Sequence, residues 1–92
     1  MSNKRAHIEV YGKVQGVCYR YYTVEKATAL QVTGFIRNRL DGSVEIIAEG
    51  DEAQIRDLIH WANQGSPASN VSEVKVNWEE YEGTFKNFTV KF

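Results

Sequence analysis

The stretch Ala6-His7-Ile8-Glu9-Val10-Tyr11-Gly12-Lys13-Val14-Gln15-Gly16-Val17-Cys18-Tyr19-Arg20 changes its hydrophobic period partway along, and that change organises the chain. Ala6, Ile8, Val10, Gly12 and Val14 alternate with His7, Glu9, Tyr11 and Lys13, the pattern of a strand with one buried face. Gly16 breaks it. From about Tyr21 to Gln31, Val24, Ala27 and Leu30 fit a helical stripe, a narrow one weakened by β-branched Thr23, Val24 and Thr28. The junction is therefore a glycine-containing loop feeding a helix start, with an arginine at its end. Such a junction exposes unpaired backbone N–H groups at the positive end of a helix dipole, and a guanidinium beside it can grip two oxygens of a phosphate or carboxylate.

Outward from this stretch the elements follow in order. Gly34 to Arg39 returns to an extended pattern, and Asp41-Gly42 before Val44-Glu45-Ile46-Ile47-Ala48 is a tight-turn signal, so a hairpin is expected. A second helix starts at Asp51 as cap, with Gln54 in capping-box position and Ile55, Leu58, Ile59 and Ala62 on one face, and it stops at Gly65 and Pro67. Val74, Val76 and Trp78 alternate with Lys75, Asn77 and Glu79 as a further strand. Phe88, Val90 and Phe92 suggest a short last one after a turn near Glu82-Gly83. The order βαββαβ plus a C-terminal strand predicts an α+β, ferredoxin-like split βαβ sandwich, with both helices on one face of an antiparallel-rich sheet and right-handed crossovers.

A length of 92 residues predicts a single domain over 1–92, burying roughly 60 to 65% of its unfolded surface. The net charge of −1 argues against a general nucleic-acid or anionic-membrane binder, but it is unevenly distributed. Residues 1–40 hold seven Lys and Arg against Glu9 and Glu25, whereas residues 41–92 hold four against ten acids. The basic half contains the loop, which suits a small anionic ligand. A lone Cys18 excludes an intrachain disulfide and predicts a reducing, cytoplasmic setting. No apolar run resembles a signal peptide or a membrane span, so neither is expected. Asn70-Val71-Ser72 and Asn87-Phe88-Thr89 are read as chance matches to the glycosylation pattern.

Arg20 is the first candidate for chemistry. A cation at a helix start is unfavourable by a few tenths of a kcal/mol, roughly, because of the dipole, so the choice is between a tolerated surface arginine and an anion ligand. Gly12 and Gly16 are either simple turn residues or, for Gly16, the point where backbone N–H groups converge on an anion. No Gly-Lys-Ser/Thr follows, so this is not a Walker loop. Asn38 is either a strand-end polar residue or part of a site, and Arg39 beside it adds a charge that can alter the local field. Cys18 and Arg20 are two apart, not six as a Cys-x5-Arg thiolate phosphatase needs, so Cys18 is read as filling a small space. His7 and His60 form no metal site and are expected to be solvated. Tyr11, Tyr19, Tyr21, Tyr22, Trp61 and Trp78 are expected in the core or half-buried, and Glu79-Glu80-Tyr81-Glu82 as a solvated strand end and turn.

Val10-Tyr11-Gly12-Lys13-Val14-Gln15-Gly16-Val17-Cys18-Tyr19-Arg20 closely resembles the first signature of the acylphosphatase family, with Tyr19 where phenylalanine is commoner. Gly34-Phe35-Ile36-Arg37-Asn38 followed by Asp41-Gly42-Ser43-Val44-Glu45 resembles the second. Weaker echoes at Gly65-Ser66-Pro67-Ala68-Ser69 and Phe88-Thr89-Val90 extend the likeness over nearly the whole chain. The resemblance implies the same fold and a metal-independent, cofactor-free hydrolysis of small acyl phosphates to carboxylate and inorganic phosphate, by a monomer. It assigns Arg20 and the backbone N–H groups of Gln15, Gly16, Val17, Cys18 and Tyr19 to the phosphate, and Asn38 to the attacking water. The other readings of the chain are a noncatalytic phosphate-binding module or an RNA-binding or regulatory one. The RNA reading lacks an RNP1-like aromatic strand.

Overall fold

The buried face of the first strand runs through Ala6, Ile8 and Val10, each 0% exposed, and Val14 just beyond the strand is 1% exposed. In a computed structural model describing residues 2–92, this strand, β1 (Asn3–Lys13), lies between two antiparallel partners, β3 (Val44–Asp51) and β4 (Asn70–Glu79). β3 also pairs antiparallel with β2 (Thr33–Asn38), and β2 pairs parallel with the three-residue β5 (Phe88–Val90), giving the order β4-β1-β3-β2-β5. Helices α1 (Tyr19–Ala29) and α2 (Glu52–Gln64) pack on one face of this sheet, where Ile36, Val44, Ile46 and Ala48 meet Ala27, Ile55 and Leu58. The fold is the ferredoxin-like α+β sandwich the element order predicts. Met1 lies outside the described residues.

Helix α1 begins two residues before its expected start, and its buried stripe is Tyr19, Thr23 and Ala27, not Val24, Ala27 and Leu30. The reason is local satisfaction of polar groups: the Thr23 hydroxyl donates to the Tyr19 carbonyl at 2.8 Å, and the Tyr19 hydroxyl donates to Ala62 of α2 at 2.8 Å. Both tolerate the core once bonded. Helix α2 matches its expected face, capped by Asp51, which accepts from the Ala53 N–H at 3.3 Å. Gly12, expected on the buried face, sits instead at a bulge in the β1–β4 pairing, with φ 118°. A Cβ there would lie 2.2 Å from the Asn70 carbonyl oxygen, so only glycine lets β4 approach.

Several aromatic expectations need correcting. Tyr21 and Tyr22 are exposed because α1 turns them outward, and Trp78 is 39% exposed on the edge strand β4, where the Arg56 guanidinium covers its ring at 5.1 Å. The acidic run is not simply solvated. Arg5 pairs with Glu79 at 3.1 Å, and the N–H groups of Glu82 and Gly83 donate to the fully buried carboxylate of Glu49 at 2.8 and 3.1 Å.

The sheet face away from the helices carries a charge network. Glu9 and Glu45 stand directly opposite one another in the β1–β3 register, a repulsive pairing on its own. Arg39 bridges them, at 2.7 Å to Glu9 and 3.3 Å to Glu45, and Arg37 also pairs with Glu45. His7 is therefore not free in solvent but bonded to Glu45 at 2.7 Å. His60 is exposed, as expected.

Two outcomes are expected. Helix α1 ends in a Schellman motif, with Gln31 N–H to the Thr28 carbonyl and Val32 N–H to that of Ala27, and Gln31 takes the left-handed conformation, φ 60°. Gln31→Gly should stabilise the fold by about 0.5–1 kcal/mol by relieving that strain, seen as a rise in Tm. The Arg39 hydrogen bond holds the Glu9 carboxyl below its ordinary value of 4.5. Burial pushes Glu45 up, but hydrogen bonds from His7, Arg37 and Arg39 outweigh it and bring that carboxyl below 4.5 as well. A carboxyl with a depressed folded-state pKa stabilises above its unfolded value and loses that contribution as pH falls through the folded value. Thermal melts should therefore show Tm falling below about pH 4.5, with a shallower fall in Glu45→Gln.

Candidate active site

The loop between β1 and α1 is held on two sides. Val17 is buried, and its carbonyl accepts from the buried Ser66 hydroxyl at 2.8 Å, just beyond the end of α2. On the other side the Gln15 carboxamide donates from Nε2 to the Arg39 carbonyl at 2.7 Å and the Ser43 carbonyl at 2.8 Å. Within the loop Gly16 and Cys18 both have left-handed backbone, φ 72° and 61°, separated by Val17 with negative φ. Alternation of this kind turns successive N–H groups toward one concavity. Among the described residues no backbone N–H of 15–19 donates a hydrogen bond to another protein group.

The start of α1 adds to this. Cys18 is its N-cap residue but supplies no side-chain cap, and the first turn holds no acid. Helix α2, by contrast, has Asp51 capping and Glu52 in its first turn. An uncapped helix start leaves its N–H groups and partial positive charge unanswered. Arg20 stands in that same first turn. Among the described residues it is the one arginine with no carboxylate within 4.0 Å, since Arg5, Arg37, Arg39 and Arg56 are all paired. Its guanidinium lies 5.3 Å from the centroid of the Phe92 ring. Folding thus pairs Arg5, Arg37 and Arg39 of the basic half with carboxylates and leaves Arg20 without one.

A cavity of about 540 Å³ opens here. Gly16, Cys18, Tyr19 and Arg20 line it together with Tyr21, Val24, Val90 and Phe92, so one cation and several apolar side chains border the same space. Four of the loop residues named from sequence therefore share one cavity. The side chains of Gln15 and Val17 face elsewhere, so these two can offer a ligand only their backbone N–H groups. Cys18 does not fill a small space: it is exposed, because the turn that faces the N–H groups inward leaves this side chain outside.

Asn38 ends β2, paired with Val44, and its Oδ1 is buried with no hydrogen-bond partner. One connection runs to it from the loop. Gln15 ties the loop to the Arg39 carbonyl, one residue on from Asn38. On the other flank β5 runs parallel to β2, with Ile36 opposite Val90 where the pairing ends, and Asn38 itself does not line the cavity. Arg39 does not add a free charge beside it, because Glu9 and Glu45 absorb that charge. The residues that sequence reading missed are Ser66, Val90, Phe92 and the carbonyl of Ser43. Ser66 lay within the weak Gly65-to-Ser69 echo, but nothing in the local pattern marks a serine as the partner of a loop 49 positions earlier.

The acylphosphatase family model matches residues 6–90. A curated acylphosphatase from Pelotomaculum thermopropionicum is 51% identical over 92 residues, covering 100% of each chain. The crystal structure of acylphosphatase from Bacillus subtilis superposes with a TM-score of 0.94 at 32% identity, covering 97% of this chain and 99% of that one. The structure of an acylphosphatase from Coxiella burnetii gives 0.92 at 36% identity, with 97% and 93% covered. A match that takes in the loop, both helices and the strand ending in Asn38, with identity along the full length of a curated relative, means that this chain belongs to the acylphosphatase family.

Proposed function

We propose that Arg20 and the backbone N–H groups of Gln15 through Tyr19 hold the phosphoryl group of an acyl phosphate, while Asn38 aims the attacking water. Family membership makes the reaction the hydrolysis of an acyl phosphate to a carboxylate and inorganic phosphate. The noncatalytic phosphate- or RNA-binding reading is not favoured by the family match. The observation that carries the assignment of roles is the buried, unpartnered Oδ1 of Asn38. A buried acceptor without a donor costs roughly 1–3 kcal/mol, a cost offset when a water donates to it. An amide suits this role because it orients the water without taking its proton at neutral pH.

The chemistry asks little more of the protein. An acyl phosphate is a mixed anhydride with a good leaving group, so positioning and charge neutralisation suffice. Water oxygen bonds to phosphorus, the bond from phosphorus to the acyl oxygen breaks, the carboxylate leaves, and the phosphoryl group itself accepts the water proton. Arg20 and the loop N–H groups neutralise charge on the phosphoryl oxygens as the leaving oxygen departs. No residue of the loop is needed as nucleophile, and no metal or cofactor enters the scheme. We further infer a monomer acting in the cytoplasm on a small substrate, with neither nucleic acid nor membrane as partner. Supporting this are the lone cysteine, the cross-strand neutralisation of Arg5, Arg37 and Arg39, and the observation that no helix among the described residues is long and apolar enough to cross a membrane.

Hydrolysis of acetyl or benzoyl phosphate with chelator present tests the scheme. Arg20→Ala should weaken inhibition by inorganic phosphate and lower kcat by about 10²–10³. Asn38→Ala should lower kcat on the same order while phosphate still binds as in the parent. Equal loss of phosphate affinity in both variants would remove the separate roles, and a requirement for added metal would count against the mechanism.

A further inference from the structure

The Gln15 side chain uses both hydrogens of its amide nitrogen on two carbonyls that close the β2–β3 turn. Each carbonyl already has a backbone donor: Arg39 N–H donates to Ser43 at 2.9 Å, and Gly42 N–H donates to Arg39 at 3.2 Å. The turn therefore closes without Gln15. Ser43 is further held by Asp41, whose Oδ1 accepts from the Ser43 N–H at 2.9 Å. What the Gln15 bonds at 2.7 and 2.8 Å add is a rigid connection between two separate pieces of the site. One piece is the loop with its unpaired N–H groups. The other is the end of β2, with Asn38 one residue before the carbonyl that Gln15 grips.

We infer that the Gln15 side chain is a positioning residue that sets the separation between the phosphate-holding loop and the Asn38 amide, and so the line along which water meets phosphorus. The inference rests on the roles assigned above to the loop and Asn38. In-line attack is sensitive to geometry, and a misplacement of about 1 Å can cost on the order of 10²-fold in rate. The other support of the loop, Ser66 on the Val17 carbonyl, comes from the α2 side and does not reach β2. Neither side of the Arg39 network replaces the link, because its guanidinium is bonded to Glu9 and Glu45 on the sheet face. Among the described residues only Gln15 spans the gap from the loop side by a side-chain hydrogen bond, and it does so without lining the cavity.

The test is a double-mutant cycle between Gln15→Met and Asn38→Ala, read by kcat on benzoyl phosphate and by competitive inhibition with inorganic phosphate. Methionine keeps the length and volume and removes the donors, while both turn carbonyls keep their backbone partners. Gln15→Met should lower kcat by about 10- to 100-fold and leave the phosphate inhibition constant within about threefold. In the Asn38→Ala background the same substitution should change kcat by less than about threefold, since there is no longer an aimed water to misplace. Gln15→Glu, which sets an acceptor against two acceptors, should lose at least as much kcat. If Gln15→Met fails to fold, Gln15→Asn removes the same contacts by being one methylene shorter. Parent-like kcat in a folded Gln15 variant, additive losses in the double variant, or a loss of phosphate affinity matching the loss of kcat would each overturn the inference. Asn38→Ala that keeps full activity would instead overturn the reading on which the inference rests.

Discussion

The register of β1 against its two neighbours is the constraint on which the rest depends. β1 is bonded on both edges, and its even-numbered residues from Ala6 to Val10 are sealed under the helices. A slip of one residue would put His7 and Glu9 into that core and Ile8 onto the charged face. The same register brings Glu9 opposite Glu45, which makes Arg39 a necessary counterion and fixes the chain just after Asn38. It also decides where the strand gives out. Lys13 is the last paired residue, so the loop starts at the sheet end where β2 terminates.

Electrostatics then acts by subtraction. The sequence carries its basic residues in one half and its acids in the other, and the antiparallel pairing lays the two against each other. Arg5 meets Glu49 and Glu79, Arg37 meets Glu45, and Arg39 meets Glu9 and Glu45. Such pairs on a half-exposed sheet face contribute modestly to stability. Their larger effect is selective: among the described residues they leave Arg20 as the one arginine without a carboxylate partner, beside a helix start with no side-chain cap.

Much of the fold was legible because short-range rules agreed with the tertiary outcome. The alternation of β1, the Asp41-Gly42 turn and the stripe of α2 each specify their element locally, and their order leaves few topologies. The misreadings fall where a distant partner overrides a local rule. Tyr19 falls before a helix expected from about Tyr21, and Thr23 counts there only as a β-branched weakener, whereas bonds to Ala62 and Tyr19 let both line the buried face of α1. Glu49 carried no signal at all, since its partners lie more than 30 residues away in either direction. Within the proposed site, Arg20 and Gly16 could be named from motif chemistry, and Asn38 from the family resemblance. The contribution of Val90 and the side-chain ties of Gln15 and Ser66 could not, because they arise from the β2–β5 register and from loop packing, neither of which has a local sequence pattern.

The cavity is built from unequal walls. One is the root of α1, anchored in the core by Tyr19, whereas the other is carried by β5, three residues long, parallel to its neighbour and at the margin of the sheet. Opening fluctuations concentrate where few backbone bonds must break together. Peeling β5 from β2 releases Val90 and Phe92 but leaves the loop, Arg20 and Asn38 on elements that remain paired. The molecule can therefore breathe at one wall of the cavity while Arg20 and the loop stay in place.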